Sequence, residues 1–158
     1  MKLFVIKYLL CLIVFISSVA CAETRLQYFN KDSYQSILKN YKQQSFLLVL
    51  WSLDCPPCME ELSMLEKFHK QYPDKKIILV SVDSKSQSNE IQRVVNNFGL
   101  HRISQWVFND DAPQYLRYSI DPSWYGELPR SYFHLQDKRN AVSGKLIEAD
   151  VIRWFNAG

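Results

Sequence analysis

A pair of cysteines separated by two prolines lies at the junction of an apolar strand and a helix, and this junction constrains the fold most. Phe46–Trp51 is a continuous apolar run, typical of a strand buried on both faces of a parallel sheet. The motif Cys55-Pro56-Pro57-Cys58 follows closely, and residues 58–72 have the spacing of a helix. A second apolar run covers residues 77–82. Strand, helix and strand make a βαβ unit, so the sequence predicts an α/β fold.

The rest of the chain adds elements on both sides of this unit. Helical spacing recurs at residues 33–41, 90–98, 112–118 and 148–155. Apolar or alternating runs predict further strands at residues 106–108, 130–135 and 141–146. The last two strands are joined by a polar turn at residues 136–140. We therefore expect one domain, residues 23–158, with a central mixed β-sheet flanked by helices.

Residues 1–22 have the composition of an export signal peptide. Lys2 and Lys7 give a positive start, residues 8–16 are apolar, and Ala20-Cys21-Ala22 fits the small-x-small pattern of a cleavage site. An uncleaved membrane anchor would need about 20 apolar residues, more than the run provides. A lipoprotein signal, with a lipid on Cys21, is the other alternative, although Ser18 stands where such signals usually have a large apolar residue. We expect a periplasmic protein, soluble or tethered by that lipid.

Composition and charge exclude some classes of partner. Hydrophobic residues make up 47% of the 158 residues and charged ones 22%, as in a folded globular protein. Without Lys2 and Lys7, the 19 basic residues become 17 against 16 acidic ones, a net charge of +1. So small a charge does not indicate a nucleic-acid partner. The sequence has no phosphate-binding glycine loop, so we expect no organic cofactor.

The cysteine count indicates a chemical role for the motif. Cys11 lies in the signal segment and Cys21 is either removed or lipidated, which leaves Cys55 and Cys58 in the domain. One pair this close in sequence is not a disulfide framework. A helix N-terminus stabilises a thiolate, so Cys55 is the candidate nucleophile and Cys58, one turn later, the resolving thiol.

A structural metal site is the alternative use of such a pair. Zinc requires four ligands, and the sequence has no second cysteine pair. The three histidines, His69, His101 and His134, show no ligand spacing. We therefore assign no metal to the chain, although a copper-binding or copper-delivery module using the two thiolates stays open as an alternative function.

A known family shares these motifs. The run Leu50-Trp51-Ser52-Leu53-Asp54-Cys55-Pro56-Pro57-Cys58-Met59-Glu60-Glu61-Leu62 resembles the active-site segment of thioredoxin-like proteins of the TlpA type, with Trp51 four residues before the first cysteine and Glu61 three after the second. Gly126-Glu127-Leu128-Pro129 resembles the family's Gly-x-x-Pro. The family's proline is cis and lies against the disulfide, so the resemblance implies a cis Leu128–Pro129 bond and the same role for Pro129. The resemblance implies a thioredoxin fold and periplasmic disulfide reductase activity. It also implies exported disulfide-containing proteins as substrates and a membrane thiol-reductant donor.

The sequence departs from the family pattern at three places. Asp54 replaces a Trp before the first cysteine, and Ser63 replaces a helix-kinking Pro. The loop before Gly126 carries Trp124 and Tyr125, which either form an apolar lip for a partner or pack the loop down. Together with Leu128 they are our candidate substrate contacts. Isomerases of this kind usually need a dimerisation module for which the chain has no room, so we expect a monomer.

Glu61 is a candidate for proton exchange with Cys58. Positions 58, 61, 65, 68 and 72 share one face of the predicted helix, so the Glu61 carboxyl should point inward, one turn from the resolving thiol. Val49 occupies the position where thioredoxin has the acid that does this work. The alternative is a boundary glutamate that bends into solvent.

The residues around the cysteines indicate the direction of the redox reaction. Pro56 and Pro57 offer no charge or hydrogen-bond donor to a thiolate, and Asp54 adds a negative charge beside it. Both features favour the disulfide over the reduced form, as in a reductant. Trp51 is expected to pack beneath the active-site loop. A disulfide oxidase is the alternative within the same class of enzyme.

Overall fold

The computed structural model describes residues 25–109, 112–136 and 138–157. Within these residues, the chain forms six strands: β1 (Gln27–Phe29), β2 (Phe46–Trp51), β3 (Lys76–Ser84), β4 (Ser104–Phe108), β5 (Arg130–Leu135) and β6 (Lys138–Ser143). The same residues form five α-helices: α1 (Ser33–Asn40), α2 (Pro56–Gln71), α3 (Ser88–Asn97), α4 (Pro113–Ile120) and α5 (Glu148–Asn156). A short 3₁₀ helix, Lys85–Gln87, precedes α3.

The strands form one mixed sheet in the order β1-β4-β3-β2-β5-β6. The first four in this order run parallel, whereas β5 and β6 are antiparallel to their neighbours. Leu48 of β2 lies opposite Ile78 of β3 on one side and Tyr132 of β5 on the other. A mixed sheet flanked by helices is the architecture that the sequence predicts.

The central strand β2 is buried along its whole length because helices cover both faces of the sheet. Leu47, Val49 and Trp51 point to the side of α2, α3 and α5. The alternate residues, Phe46, Leu48 and Leu50, point to the side of α1 and α4. Burial of each such side chain stabilises the fold by roughly 1.5–3 kcal/mol. The strand is therefore a firm support for the loop that leads from it to Cys55.

The predicted bounds of one strand, β6, were wrong, and another strand, β1, was not predicted. β6 covers Lys138–Ser143 rather than residues 141–146, so the turn is shorter than predicted. Gln136, in the reversal, has a φ of 53°, and Leu135 pairs with Lys138. β1 was not predicted at all. It is held by parallel pairing with β4 and by burial of Phe29.

The predicted signal segment, residues 1–22, lies outside the described residues. None of the helices described is long and apolar enough to cross a bilayer.

Candidate functional site

The two cysteines form a disulfide at the beginning of α2, with their sulfur atoms 2.00 Å apart. Cys55 is the N-cap residue in an extended conformation, and Pro56 begins the helix. Proline suits this position because its missing N–H would have no partner within the helix and its φ already matches helical geometry. The side chain of Cys55 is 8% exposed and that of Cys58 1%. Cys55 is therefore the cysteine that a second molecule can reach.

The helix N-terminus provides a donor for the outer sulfur. The backbone N–H of Cys58 donates to Sγ of Cys55 at 3.3 Å. The first backbone N–H groups of a helix carry partial positive charge and have no acceptor within the helix, so they stabilise negative charge on a capping atom. This arrangement favours a thiolate on Cys55 when the disulfide is reduced.

Glu61 points inward, as predicted, and the solvent-facing alternative is wrong. Its side chain is buried, with Oε1 accepting from the hydroxyl of Ser131 at 3.1 Å and Oε2 from the backbone N–H of Leu146 at 2.9 Å. Burial raises the pKa of the Glu61 carboxyl above its ordinary value, and the two donors only partly oppose this. A buried carboxyl with a raised pKa, which is a stronger base once it is ionised, therefore lies one helical turn after Cys58.

The raised pKa of Glu61 makes stability depend on pH. Below the ordinary glutamate value of 4.5 the carboxyl is neutral in both the folded and the unfolded chain. As pH rises through the raised pKa, the folded protein must bury a charge and stability is lost. Glu61→Gln, which stays neutral, should therefore gain stability relative to the wild type as pH rises from about 4.5. Urea unfolding at a series of pH values measures this, and parallel curves would contradict it.

The peptide bond between Leu128 and Pro129 is cis, which confirms the expectation drawn from the resemblance. The carbonyl of Pro129 accepts from the N–H of Gly144 at 2.9 Å, which ties the start of β5 to the end of β6. Leu128 is partly buried and packs against the core on both sides of the sheet, including the cluster that contains Cys55 and Cys58. The cis segment and the disulfide thus share one packed environment.

A buried polar network, which the sequence did not reveal, holds the loop before Pro129. Arg130 donates to Oδ2 of Asp121 at 3.0 Å, and the Tyr132 hydroxyl donates to the same oxygen at 3.0 Å. Burial acts to raise the pKa of Asp121, but donors from Ser123, Tyr132 and Arg130 outweigh it and lower the pKa to about 2. Arg139 approaches the other carboxylate oxygen to 3.6 Å. The sequence around Asp121 predicts only a loop.

The two aromatic residues of this loop have different positions. The Trp124 side chain is buried, and its indole N–H donates to the carbonyl of Glu127 at 2.9 Å. This position fits the packing alternative and leaves Trp124 no surface for a substrate. Tyr125 is 94% exposed and is followed by Gly126, whose φ of 101° few other residues adopt. A Cβ at Gly126 would approach Nε of Arg117 to 3.3 Å.

The other sequence-predicted positions are placed as follows. Trp51 is fully buried in the core beneath the active-site loop, as predicted. Asp54 is exposed, and its backbone N–H approaches Oγ of Ser52 at 3.4 Å. Ser63 lies inside the uninterrupted helix α2. His134 is buried beside Tyr34, and burial lowers its pKa to about 4. Among the described residues, no three His, Cys, Asp or Glu side chains are grouped to hold a metal ion.

One protein with a curated function shares part of the sequence. The thiol-disulfide oxidoreductase ResA of Halalkalibacterium halodurans is 27% identical over 63 residues, 40% of this chain and 36% of that protein. The matched region is therefore little more than a third of the relative's length.

Solved structures share the fold over most of the chain. A secreted Mycobacterium tuberculosis disulfide oxidoreductase homologous to E. coli DsbE superposes with a TM-score of 0.57 at 15% identity, covering 76% of this chain and 86% of that one. A DsbF homologue from Corynebacterium diphtheriae gives 0.55 at 22% identity, with 77% and 76% covered. The fold is thus thioredoxin-like, as predicted. The AhpC/TSA family profile matches residues 20–103, more than half of the sequence, and the chain belongs to the AhpC/TSA family.

Proposed function

We propose that this protein is an exported thiol–disulfide oxidoreductase of the TlpA type that reduces disulfides in other exported proteins. The observation that carries the proposal is the Cys55–Cys58 disulfide at the start of α2, with the outer sulfur accepting a backbone N–H. The partial match to ResA, itself a thiol-disulfide oxidoreductase, supports the same class of reaction.

The proposed reaction moves two electrons from the dithiol to a substrate disulfide. The Cys55 thiolate attacks one substrate sulfur, the substrate S–S bond breaks, and a mixed disulfide forms as the first substrate thiolate leaves. Cys58 then loses its proton, attacks Sγ of Cys55, and the second substrate thiolate leaves. Each leaving thiolate takes up a proton. The product on the enzyme is the Cys55–Cys58 disulfide seen in the structure.

Glu61 is the proposed acceptor for the Cys58 proton, because it is a buried carboxyl one turn from that residue. A positioned acid or base typically contributes 10²–10⁴-fold to a rate, so Glu61→Gln should slow the resolving step by about a hundredfold. Pro129, whose cis bond follows the Leu128 that packs against the cluster containing both cysteines, is the proposed backbone contact for the substrate. Leu128 and the exposed Tyr125 are the proposed side-chain contacts.

Asp54 is proposed to lower the reduction potential of the Cys55–Cys58 pair, which makes the dithiol a stronger reductant. We take a separation of about 6 Å for a carboxylate and a thiolate on neighbouring residues, at which two negative charges repel by roughly 0.7 kcal/mol in water and about 3 kcal/mol at a dielectric of 20. The exposure of Asp54 favours the smaller value. Asp54→Asn should therefore lower the pKa of the Cys55 thiol by about half a unit and raise the reduction potential.

Thiolate absorbance titration and equilibration with glutathione measure both effects of Asp54→Asn. Asp74→Asn, at an exposed turn before β3, is the matched control and should change neither quantity. If Asp54→Asn behaves like this control, the tuning proposal is wrong.

The cellular setting is also a proposal. We infer that residues 1–22 direct export to the periplasm and are removed, or that a lipid on Cys21 tethers residues 23–158. A membrane thiol carrier would return the oxidised protein to its dithiol form. Protein disulfides are the proposed substrates, and the protein acts as a monomer without an organic cofactor.

Reduction of insulin by the reduced protein tests the function. We expect the insulin chains to separate and the enzyme to become oxidised in proportion. Stoichiometric copper binding by the reduced protein, with no reduction of insulin, would instead support the metal-delivery alternative.

A further inference from the structure

Asp83, at the end of β3, is joined to the loop that leads to the cysteines. Its Oδ1 accepts from the Ser52 hydroxyl at 2.7 Å, and its Oδ2 accepts from the backbone N–H of Leu53 at 3.0 Å. Oδ2 also accepts from the Ser81 hydroxyl at 2.6 Å, and the Ser81 oxygen in turn accepts from the backbone N–H of Asp83 at 3.1 Å. One carboxylate therefore connects two neighbouring strands where both end.

The loop that Asp83 holds is short and has little else to fix it. Only Ser52, Leu53 and Asp54 separate the end of β2 from Cys55. Leu53 is partly buried against the core, whereas Asp54 is exposed and its backbone N–H reaches Oγ of Ser52 at 3.4 Å. The Asp83 carboxylate therefore fixes the orientation of Ser52 and Leu53. The residues that follow them place the Cys55 sulfur at the N-terminus of α2.

We propose that Asp83 is a positioning residue that fixes the Ser52–Leu53 segment and thereby holds Cys55 in the geometry for attack on a disulfide. The proposal rests on the proposed function, because it assigns Asp83 a part in that reaction. Hydrogen bonds to a carboxylate are roughly twice as strong as neutral ones, and here the acceptor belongs to the adjacent strand rather than to the loop itself. Asp83 need not touch the substrate.

The chemistry of the side chain gives graded variants. Asp83→Ala removes the acceptors for Ser52, Leu53 and Ser81. Asp83→Asn keeps one carbonyl oxygen but turns the other acceptor into a donor, which faces N–H or O–H groups. Ser52→Ala removes a single bond and leaves the charge in place. Asp74→Asn, an exposed carboxylate in the turn before β3, is the matched control.

The first experiment measures steady-state insulin reduction by these variants, with excess dithiothreitol to return the oxidised protein to its dithiol form after each turnover. Misplacement of a reacting group by about 1 Å can cost a hundredfold, so we expect kcat to fall about tenfold or more for Asp83→Ala, with KM within about twofold of the wild type. The kcat of Asp83→Asn should lie between that of the wild type and that of Asp83→Ala. Ser52→Ala should lower kcat less than Asp83→Ala does, and should add little in combination with Asp83→Asn because both substitutions weaken the Ser52–Asp83 hydrogen bond. Asp74→Asn should match the wild type.

The second experiment does not depend on a protein substrate. The reduced variants react with a small aromatic disulfide, and hydrogen exchange follows the Leu53 amide. We expect the rate constant of Cys55 to fall about tenfold in Asp83→Ala, and the Leu53 amide to lose protection while the amide of Leu48 in β2 does not.

The outcomes separate the two proposals. If the wild type fails to reduce insulin, the proposed function is wrong, and the reaction with the small disulfide still decides the role of Asp83. If Asp83→Ala and Asp83→Asn are folded and match Asp74→Asn in kcat and in reaction with the small disulfide, the positioning role is overturned. A rise in KM with unchanged kcat would also overturn it, because Asp83 would then act on binding.

Discussion

Cys58→Ser should accumulate a covalent adduct with disulfide-containing proteins, linked through Cys55. Without the resolving thiol, the mixed disulfide formed by the outer cysteine has no intramolecular route to release. We expect the adduct at Cys55 because its sulfur is accessible at the helix N-terminus, whereas Cys58 is fully buried one turn later. Non-reducing electrophoresis followed by mass spectrometry of the trapped material detects the adduct and identifies the substrate proteins.

Cys55→Ser is the matched control for this experiment. It should trap nothing and should reduce insulin no faster than a blank, because the remaining thiol is buried. Adducts through Cys58 in that variant, or full insulin reduction by it, would contradict the order of attack.

Arg130→Ala should destabilise the fold by about 3 kcal/mol, since removing one member of a buried ion pair leaves a charge without its partner. The Arg130 side chain is 11% exposed and that of Asp121 only 4%. Arg139 remains within 3.6 Å of Asp121, which places the expected loss at the lower end of the usual 3–5 kcal/mol range. Arg130→Lys keeps the charge without the forked donor geometry and should lose less.

Urea unfolding at neutral pH measures this loss, with Arg93→Ala as the control. Arg93 pairs with Glu90 at 3.1 Å, but both side chains are exposed, so we expect a change of about 0.5 kcal/mol or less. Equal effects of the two substitutions would mean that the Asp121 network does not hold the loop.

Acid should also destabilise the wild-type fold, because it protonates Asp121. The pKa of Asp121 is lowered from 3.8 to about 2, so its contribution is present above about pH 4 and is lost as pH falls through 2. The shift corresponds to about 2 kcal/mol, and Asp121→Asn should remove most of this pH dependence.

The βαβ unit and the position of the cysteines were predictable because they follow from local pattern. A six-residue apolar run is typical of a strand buried on both faces, and Pro56 after Cys55 marks a helix start. The inward direction of Glu61 followed from helical periodicity alone.

The edge strands were not predictable on the same basis. β6 is almost entirely exposed, so it has no hydrophobic alternation, and its polar first half resembles a turn. β1 has three residues with only Phe29 buried, and it exists because β4 offers an edge to pair with. In both cases pairing with a neighbouring strand, rather than the segment's own pattern, determines the conformation.

Asp83 and the Asp121 network were missed for a different reason. Some of their partners belong to other strands or loops of the fold: Ser52 is 31 residues from Asp83, and Arg139 lies on β6. Polar residues in segments such as Ser81-Val82-Asp83-Ser84 or Asp121-Pro122-Ser123 are typical of turns, so sequence pattern alone does not separate a buried acceptor from a solvated one.

The reduction potential of the Cys55–Cys58 pair tests the central claim most directly. Equilibration of the protein with glutathione buffers, followed by alkylation and mass determination, gives this value. If the protein is a reductant, its potential should lie nearer to that of thioredoxin, about −270 mV, than to that of DsbA, about −120 mV. A value near that of DsbA would identify an oxidant and contradict the proposed function.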